Sequence, residues 1–258
     1  MLQLMESDYE EVEKCLQVAS PSFVFAVLNK KITGFVYGDP SNKNNYLIGT
    51  VSGIFYVTGD ETNNEFKDGL VDLYNKNEQS RFTLFSSSEK WDKAISDLFK
   101  SEERVHSFSR YTFAFNQLKN INNRVKLPKE FTVKKINAEI IHQSIYFNEE
   151  YYEEYWGSVS NYLENGFGYC VFHNDTLVSE CTSIFRAEKV AEMDILTKSE
   201  RKGKGLAKVT AQSFINHCME ENITPRWDCS VDNIASISMA NTIGFEHPTR
   251  YSVFAKIM

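Results

Sequence analysis

Nowhere in its 258 residues does the chain hold an apolar run approaching the roughly eighteen that a membrane-crossing helix needs. The opening residues, MLQLMESDYEEVEK, lack the basic start and apolar stretch of a signal peptide. No membrane partner is expected, and the cytoplasm is the expected compartment. Cysteine pairing is missing as well: Cys15, Cys170, Cys181, Cys218 and Cys229 are odd in number, widely spaced and free of any C-x-x-C. They read as reduced thiols. Cys170-x-x-His173 has no further ligands beside it, and His106, His142, His217 and His247 do not cluster, so no metal is expected.

Positive charge is also in short supply. Lys and Arg number 28 against 35 Asp and Glu, a formal net charge of -7. That sign is wrong for a surface that neutralises many phosphates, which argues against nucleic acid as a partner. It suits a cationic small molecule, although a charge of this size is also ordinary for solubility. Two phosphate-binding patterns are absent: no G-x-x-x-x-G-K-[ST] occurs, and Lys208 stands where a G-x-G-x-x-G beginning at Gly203 needs its third glycine.

What is present is ample core material, with 42% hydrophobic and 14% aromatic residues. The length favours two moderate domains. From Pro21 to Asn116 short apolar runs alternate with helical patterns. FVFAVL (Phe23 to Leu28) and GFVYG suggest a hairpin, YLIGTVSGIFYVTG two strands, NNEFKDGLVDLYNKN a helix, RFTLF a strand, Trp91 to Phe99 a helix and RYTFAFNQL a closing strand. The polar, Asn-rich stretch from Asn116 to Lys129 reads as a linker with a boundary near residue 125. The expectation is an N-terminal α/β domain over 1–125 and a second domain over 126–258. In the second, EFTVKKI reads as a strand, and NAEIIHQSI and YEEYWGSVSNYLEN as helices. GFGYCVFHNDTLVSECTSIFR gives two strands joined at Asn174-Asp175, and KVAEMDILT gives a third.

The sequence ERKGKGLAKVTAQSF follows that third strand. Ala207, Ala211, Phe214, Ile215 and Cys218 fall on one stripe of a helix that begins near Gly205 and ends before Pro225. The first turn of such a helix leaves backbone N–H groups without partners and carries a partial positive charge. Gly203 and Gly205 keep side chains off that backbone, while Lys202 and Lys204 add full charges. The arrangement suits a phosphate.

KGKGLA, residues Lys202, Gly203, Lys204, Gly205, Leu206 and Ala207, resembles the Q/R-x-x-G-x-G/A loop by which the GNAT superfamily of acyltransferases holds the pyrophosphate of acetyl-CoA. Lys202 stands where that family prefers Arg or Gln, keeping the charge but losing a planar fork. EMDILT before the loop, and Asn233, Ser236 and Gly244-Phe245 after it, match the family's flanking segments in order. The resemblance extends to a two-domain branch that includes the zwittermicin A resistance acetyltransferase, with the N-terminal half as a non-catalytic partner. It implies an α+β fold (mixed α/β): a C-terminal mixed sheet flanked by helices, accompanied by a smaller N-terminal α/β domain.

The same resemblance implies the chemistry, an acetyl group passing from acetyl-CoA to an amine of a small molecule in a ternary complex. The pantetheine arm would insert between AEMDILT and RWDCSV, bonded by backbone groups around Ile195, Leu196 and Thr197, with Asn233 and Ser236 also at the cofactor. An amine acceptor is protonated at neutral pH, so a carboxylate must collect its proton. Glu192 is the first expectation and Asp194 shares its face; Glu180 on the preceding strand is placed to join them. Asp228 and Trp156 are expected at the acceptor, beside Tyr151, Tyr152 and Tyr155 and the acids Glu149, Glu150, Glu153 and Glu154. The family often supplies a Tyr as acid in the helix after its Asn, where this chain has Ala240. That departure motivates the alternative of a CoA-binding or ligand-sensing module without catalysis.

Overall fold

The computed structural model describes residues 1–39, 45–76, 80–120 and 127–257. It divides into two compact units, Met1–Arg110 with Arg250–Met258, and Tyr111–Thr249. The boundary that the sequence suggests near residue 125 lies outside the described residues.

In the first unit the strands are β1 (Leu2–Gln3), β2 (Gly34–Gly38), β3 (Tyr46–Thr50), β4 (Ile54–Thr58) and β5 (Thr83–Ser86), and the helices are α1 (Tyr9–Lys14), α2 (Ser22–Leu28), α3 (Asn64–Lys76) and α4 (Glu89–Leu98). The sheet runs β1-β2-β3-β4-β5 and closes with Val253–Ala255 against β5. Only the β4–β5 pair among these is parallel. Phe66 and Leu70 of α3 and Trp91 and Ile95 of α4 pack with Leu47 and Phe55 in one apolar cluster, as the helical spacing of the sequence requires.

One expectation is corrected here. Phe23 to Leu28 is helix α2 rather than a hairpin strand. Ser22, Phe23, Val24, Ala26, Val27 and Leu28 are all buried, so the run is apolar on nearly every side and its period carries no information. Pro21, with φ -53°, precedes the first turn and fits helix initiation. The antiparallel partners of β2 are β1 and β3 instead.

The second unit contains β6 (Val105–Phe115) from its middle onward, β7 (Phe131–Lys135), β8 (Gly168–His173), β9 (Thr176–Arg186), β10 (Val190–Thr197), β11 (Thr224–Ser230) and the start of β12 (Phe245–Lys256). Its helices are α5 (Gln117–Asn120), α6 (Ala138–Gln143), α7 (Glu149–Trp156), α8 (Val159–Asn165), α9 (Leu206–Glu220) and α10 (Ile234–Thr242). Strand order is β12-β6-β11-β10-β9-β8-β7. β7 to β10 form an antiparallel meander, and β10 and β11 are parallel, so the sheet is mixed. The stripe of α9 lies over this sheet: Ala211, Phe214, Ile215 and Cys218 cluster with Ala191 and Met193 of β10. Burying Phe214 and Ile215 contributes about 1.5 to 3 kcal/mol each relative to exposure.

Two expected elements differ in extent. RYTFAFNQL is not strand throughout, because β6 stops at Phe115 and Gln117 begins α5. YEEYWGSVSNYLEN is two helices, divided at Gly157, whose φ of 76° ends α7 in the left-handed region. Ser158 then caps α8 by accepting from the Asn161 amide at 3.0 Å. Among the described residues no helix is long and apolar enough to cross a membrane.

Candidate active site

Strands β10 and β11 part company. β10 pairs with β9 along its length, from Ala191↔Arg186 to Thr197↔Ser179. Against β11 its ladder covers only Val190↔Thr224, Ala191↔Pro225 and Glu192↔Arg226, although β10 continues to Thr197 and β11 to Ser230. The backbone of Ile195, Leu196 and Thr197 therefore lies beyond the shared ladder, on a strand edge of the kind that binds an extended chain.

The loop after β10 carries this opening to the head of α9. Ser199–Arg201 make one 3-10 turn, and Lys202, Gly203, Lys204 and Gly205 follow, all exposed. Gly203 and Gly205 have φ of 77° and 75°, a left-handed backbone that glycine adopts without strain. A Cβ built on either meets nothing within 4 Å, so the space above this backbone is open. Leu206 and Val209 anchor the turn by packing with Val171 and Val178. The first backbone bond of α9 runs from the Val209 amide to the Gly205 carbonyl at 3.2 Å, and no side chain caps the helix. Helices α4, α6, α7, α8 and α10 differ: Ser88, Asn137, Asn148, Ser158 and Asn233 each accept from a first-turn amide. Open space, uncapped amides and two lysines fit the diphosphate of coenzyme A.

Asn233 and Ser236 sit at the start of α10, just past the free end of β11. The Asn233 side chain accepts from the Ser236 amide at 3.1 Å, and the Ser236 hydroxyl accepts from the Trp227 indole at 3.0 Å. Both residues have local structural work, which their spacing alone does not reveal. Ala240, where the related family often has its acid, is fully buried in the core beneath α9.

The opposite face of the sheet carries the acids. Along a strand every second side chain shares a face, and directly opposed residues of an antiparallel pair share it too. Glu192, Asp194 and Leu196 of β10 therefore lie with Phe185, Thr182 and Glu180 of β9, their register partners. Helices α7 and α8 contact this face. The Tyr151 hydroxyl donates to Asp194 Oδ2 at 3.1 Å, and the Tyr152 hydroxyl donates to Thr182 Oγ1 at 3.0 Å. Thr182 in turn donates to the Tyr162 hydroxyl at 2.8 Å, and the Tyr152 and Tyr162 rings stack at 4.0 Å. Burial drives the proton affinity of all three tyrosines above the ordinary phenol range, with Asp194 adding to the rise at Tyr151. Tyr155 is half-buried, 4.9 Å from the Tyr151 ring and 5.8 Å from that of Phe185.

Trp156 is the expectation that fails. It is 1% exposed, and its indole donates to the Ser183 carbonyl at 3.0 Å, so it packs in the core instead of lining an open surface. Tyr152 is buried likewise, whereas the acids Glu149, Glu150, Glu153 and Glu154 face solvent. Asp228 on β11 is half-buried and accepts from Thr112 at 3.2 Å. Its neighbours Trp227 and Cys229 point into the α9 core, which leaves Asp228 on the acid-bearing face.

Glu180 is the deeply buried acid of this face. It is 5% exposed, and its carboxyl pKa is raised by burial to about 7, against smaller lowering by the Ser144 hydroxyl and by Lys198. The available signal was a lone acid within the otherwise uncharged run LVSECTSIF.

The fold and the loop agree with what the sequence resemblance implies, and comparison with known proteins shows the family. The sequence pattern of the GNAT acetyltransferase family matches residues 13–254, and the chain belongs to that family. It is 42% identical over 237 residues to the uncharacterized N-acetyltransferase YdfB of Bacillus subtilis, covering 91% of this chain and 90% of that protein. Its fold is similar to a GCN5-related N-acetyltransferase-like protein from Streptococcus suis, with a TM-score of 0.73 at 20% identity over 98% of this chain and 100% of that one. A tandem GNAT protein from the clavulanic acid biosynthesis pathway gives a TM-score of 0.63 at 11% identity, over 98% of this chain and 97% of that one. The chain is thus an N-acetyltransferase of the GNAT family, a family whose enzymes use acetyl-CoA as cosubstrate.

Proposed function

We propose that the protein transfers the acetyl group of acetyl-CoA to an amine of a small molecule, by direct attack while both substrates are bound. The observation that carries this reading is the strand opening after Glu192 and Arg226 leading to the open glycine backbone at the head of α9. An extended edge followed by an anion cradle suits a ligand that is a long amide-bearing arm with a diphosphate at one end. When bound, acetyl-CoA supplies a thioester carbonyl carbon, to which the amine nitrogen forms a bond as the C–S bond breaks.

In this reading the residues of the chain divide the remaining work. Lys202, Gly203, Lys204, Gly205, Leu206 and Ala207 hold the diphosphate by charge and by first-turn amides. Backbone groups of Ile195, Leu196 and Thr197 bind the arm as an added strand, and a strand amide near Asp194 and Ile195 polarises the carbonyl. Asn233 and Ser236 border the cofactor from α10. Glu192, Asp194 and Asp228 hold the acceptor in its ammonium form by charge. Holding both reactants together supplies the proximity term of catalysis.

These parts all belong to the unit Tyr111–Thr249, and the other unit is a non-catalytic companion. The family match over 13–254 reaches into both units, which supports kinship with the two-domain branch that includes the zwittermicin A resistance acetyltransferase. Release of coenzyme A thiol from acetyl-CoA, followed across a panel of primary amines, tests the reading. Amine-dependent release is expected; coenzyme A binding with no release on any amine contradicts it and favours a sensing module.

A further inference from the structure

Glu180 has a surrounding that the scheme above leaves unused. The Ser144 hydroxyl, at the end of α6, donates to Glu180 Oε2 at 2.9 Å. The Ser144 oxygen itself accepts from the amides of Tyr146 at 3.3 Å and Phe147 at 2.9 Å. A serine hydroxyl has two lone pairs and one hydrogen. Both lone pairs are engaged by amides, so the hydrogen is committed to Glu180 Oε2. Among the described residues no other group hydrogen-bonds this carboxyl, which leaves Oε1 as the oxygen where a proton is taken up or released.

The neighbours make Glu180 the group whose charge changes near neutrality. Burial lifts its pKa to about 7, and Lys198, just past β10, moderates the rise. Cys170, its register partner on β8, has a thiol pushed up to about 12, chiefly by burial. Tyr152 on α7 and Tyr162 on α8 are held above the usual phenol range, so all three stay protonated at neutral pH. Glu192 and Asp194 share the face from β10. A base is most effective when its pKa lies near the working pH.

We propose that Glu180 is the base that takes the acceptor's proton at Oε1, with Ser144 as the positioning residue that keeps Oε2 occupied. The assignment rests on the transferase reading. In the step itself one N–H bond of the ammonium breaks, its electron pair stays on nitrogen, and an O–H bond forms at Oε1. Cation and carboxylate become two neutral groups, which suits a buried carboxyl. The amine then attacks, its second proton leaves with the coenzyme A thiol, and Glu180 returns the first proton to solvent. Because Ser144 also holds the amides of Tyr146 and Phe147, the oxygen that sets the base also fixes the segment between α6 and α7.

The test is kcat/KM against pH for thiol release from acetyl-CoA, with spermidine, tyramine, glucosamine and lysine amide as amine probes. Wild type is expected to show an acid limb with its midpoint near the Glu180 value of about 7. Glu180→Gln is expected to lose about a hundredfold or more at the optimum and to lose the limb, with coenzyme A affinity and the circular dichroism spectrum unchanged. Ser144→Ala removes a bond that favours the carboxylate, so its limb moves to higher pH; Ser144→Thr keeps the hydroxyl and restores the limb. A Glu180→Gln enzyme with wild-type rate and limb overturns the base while leaving the transferase standing. No thiol release by wild type on any of the four amines overturns the transferase reading and the base with it.

Discussion

The hydroxyl of Tyr151 on α7 donates to Oδ2 of Asp194 on β10 at 3.1 Å, linking the half-buried edge of that helix to the strand that opens away from β11. Tyr151→Phe removes this bond without changing ring volume. A hydrogen bond to a charged group contributes about 1.5 to 3 kcal/mol, and urea unfolding is expected to show a loss within that range. Coenzyme A affinity is expected to stay at the wild-type value, since Asp194 points away from the α9 side. A variant of unchanged stability contradicts the bond.

Trp156 tests the distinction between core and acceptor wall. Its indole bond to the Ser183 carbonyl and its near-complete burial make Trp156→Phe a structural lesion. The expected loss is about 1 to 3 kcal/mol in urea unfolding, from a smaller ring and an orphaned carbonyl, with KM for the amine unaltered. A selective rise in that KM at full stability returns Trp156 to the acceptor.

Glu180 predicts a pH-dependent stability. Its folded pKa of about 7 exceeds the ordinary carboxyl value of 4.5, so the native state holds a proton that the unfolded chain has already lost. Stability is greatest below the lower value and falls as pH rises through the window up to the higher one. At roughly 1.4 kcal/mol per pKa unit the full penalty above that window is about 3 kcal/mol. Glu180→Gln, which cannot ionise, is expected to gain stability over wild type between pH 5 and pH 8 by about this amount. Equal pH slopes for the two proteins contradict the raised pKa.

Much of the second unit was legible from pattern. The spacing of Ala211, Phe214, Ile215 and Cys218 marks α9, and the Pro225 limit and the glycine loop bracket it, because a helix with one buried stripe writes its period into the sequence. Phe23 to Leu28 was not legible, since a segment buried on nearly all sides has no polar face to set a period. Trp156 was misread for a related reason: aromatic residues at helical spacing look alike whether they face a ligand or a core. The burial of Glu180 was not legible either, because strand alternation assigns a face but not a depth. Depth comes from α6 and its Ser144, 36 residues away in the chain.

The most direct test of the account is coenzyme A affinity, measured by calorimetry, for wild type and for Gly203→Val and Gly205→Val. Each substitution puts a β-branched side chain on a left-handed backbone and fills the open space above the loop, at a stability cost of about 1 to 2 kcal/mol. The account predicts micromolar-range binding by wild type, on the order of 8 kcal/mol, and a loss of tenfold or more in each folded variant. Wild-type affinity in both variants contradicts a diphosphate held at the head of α9.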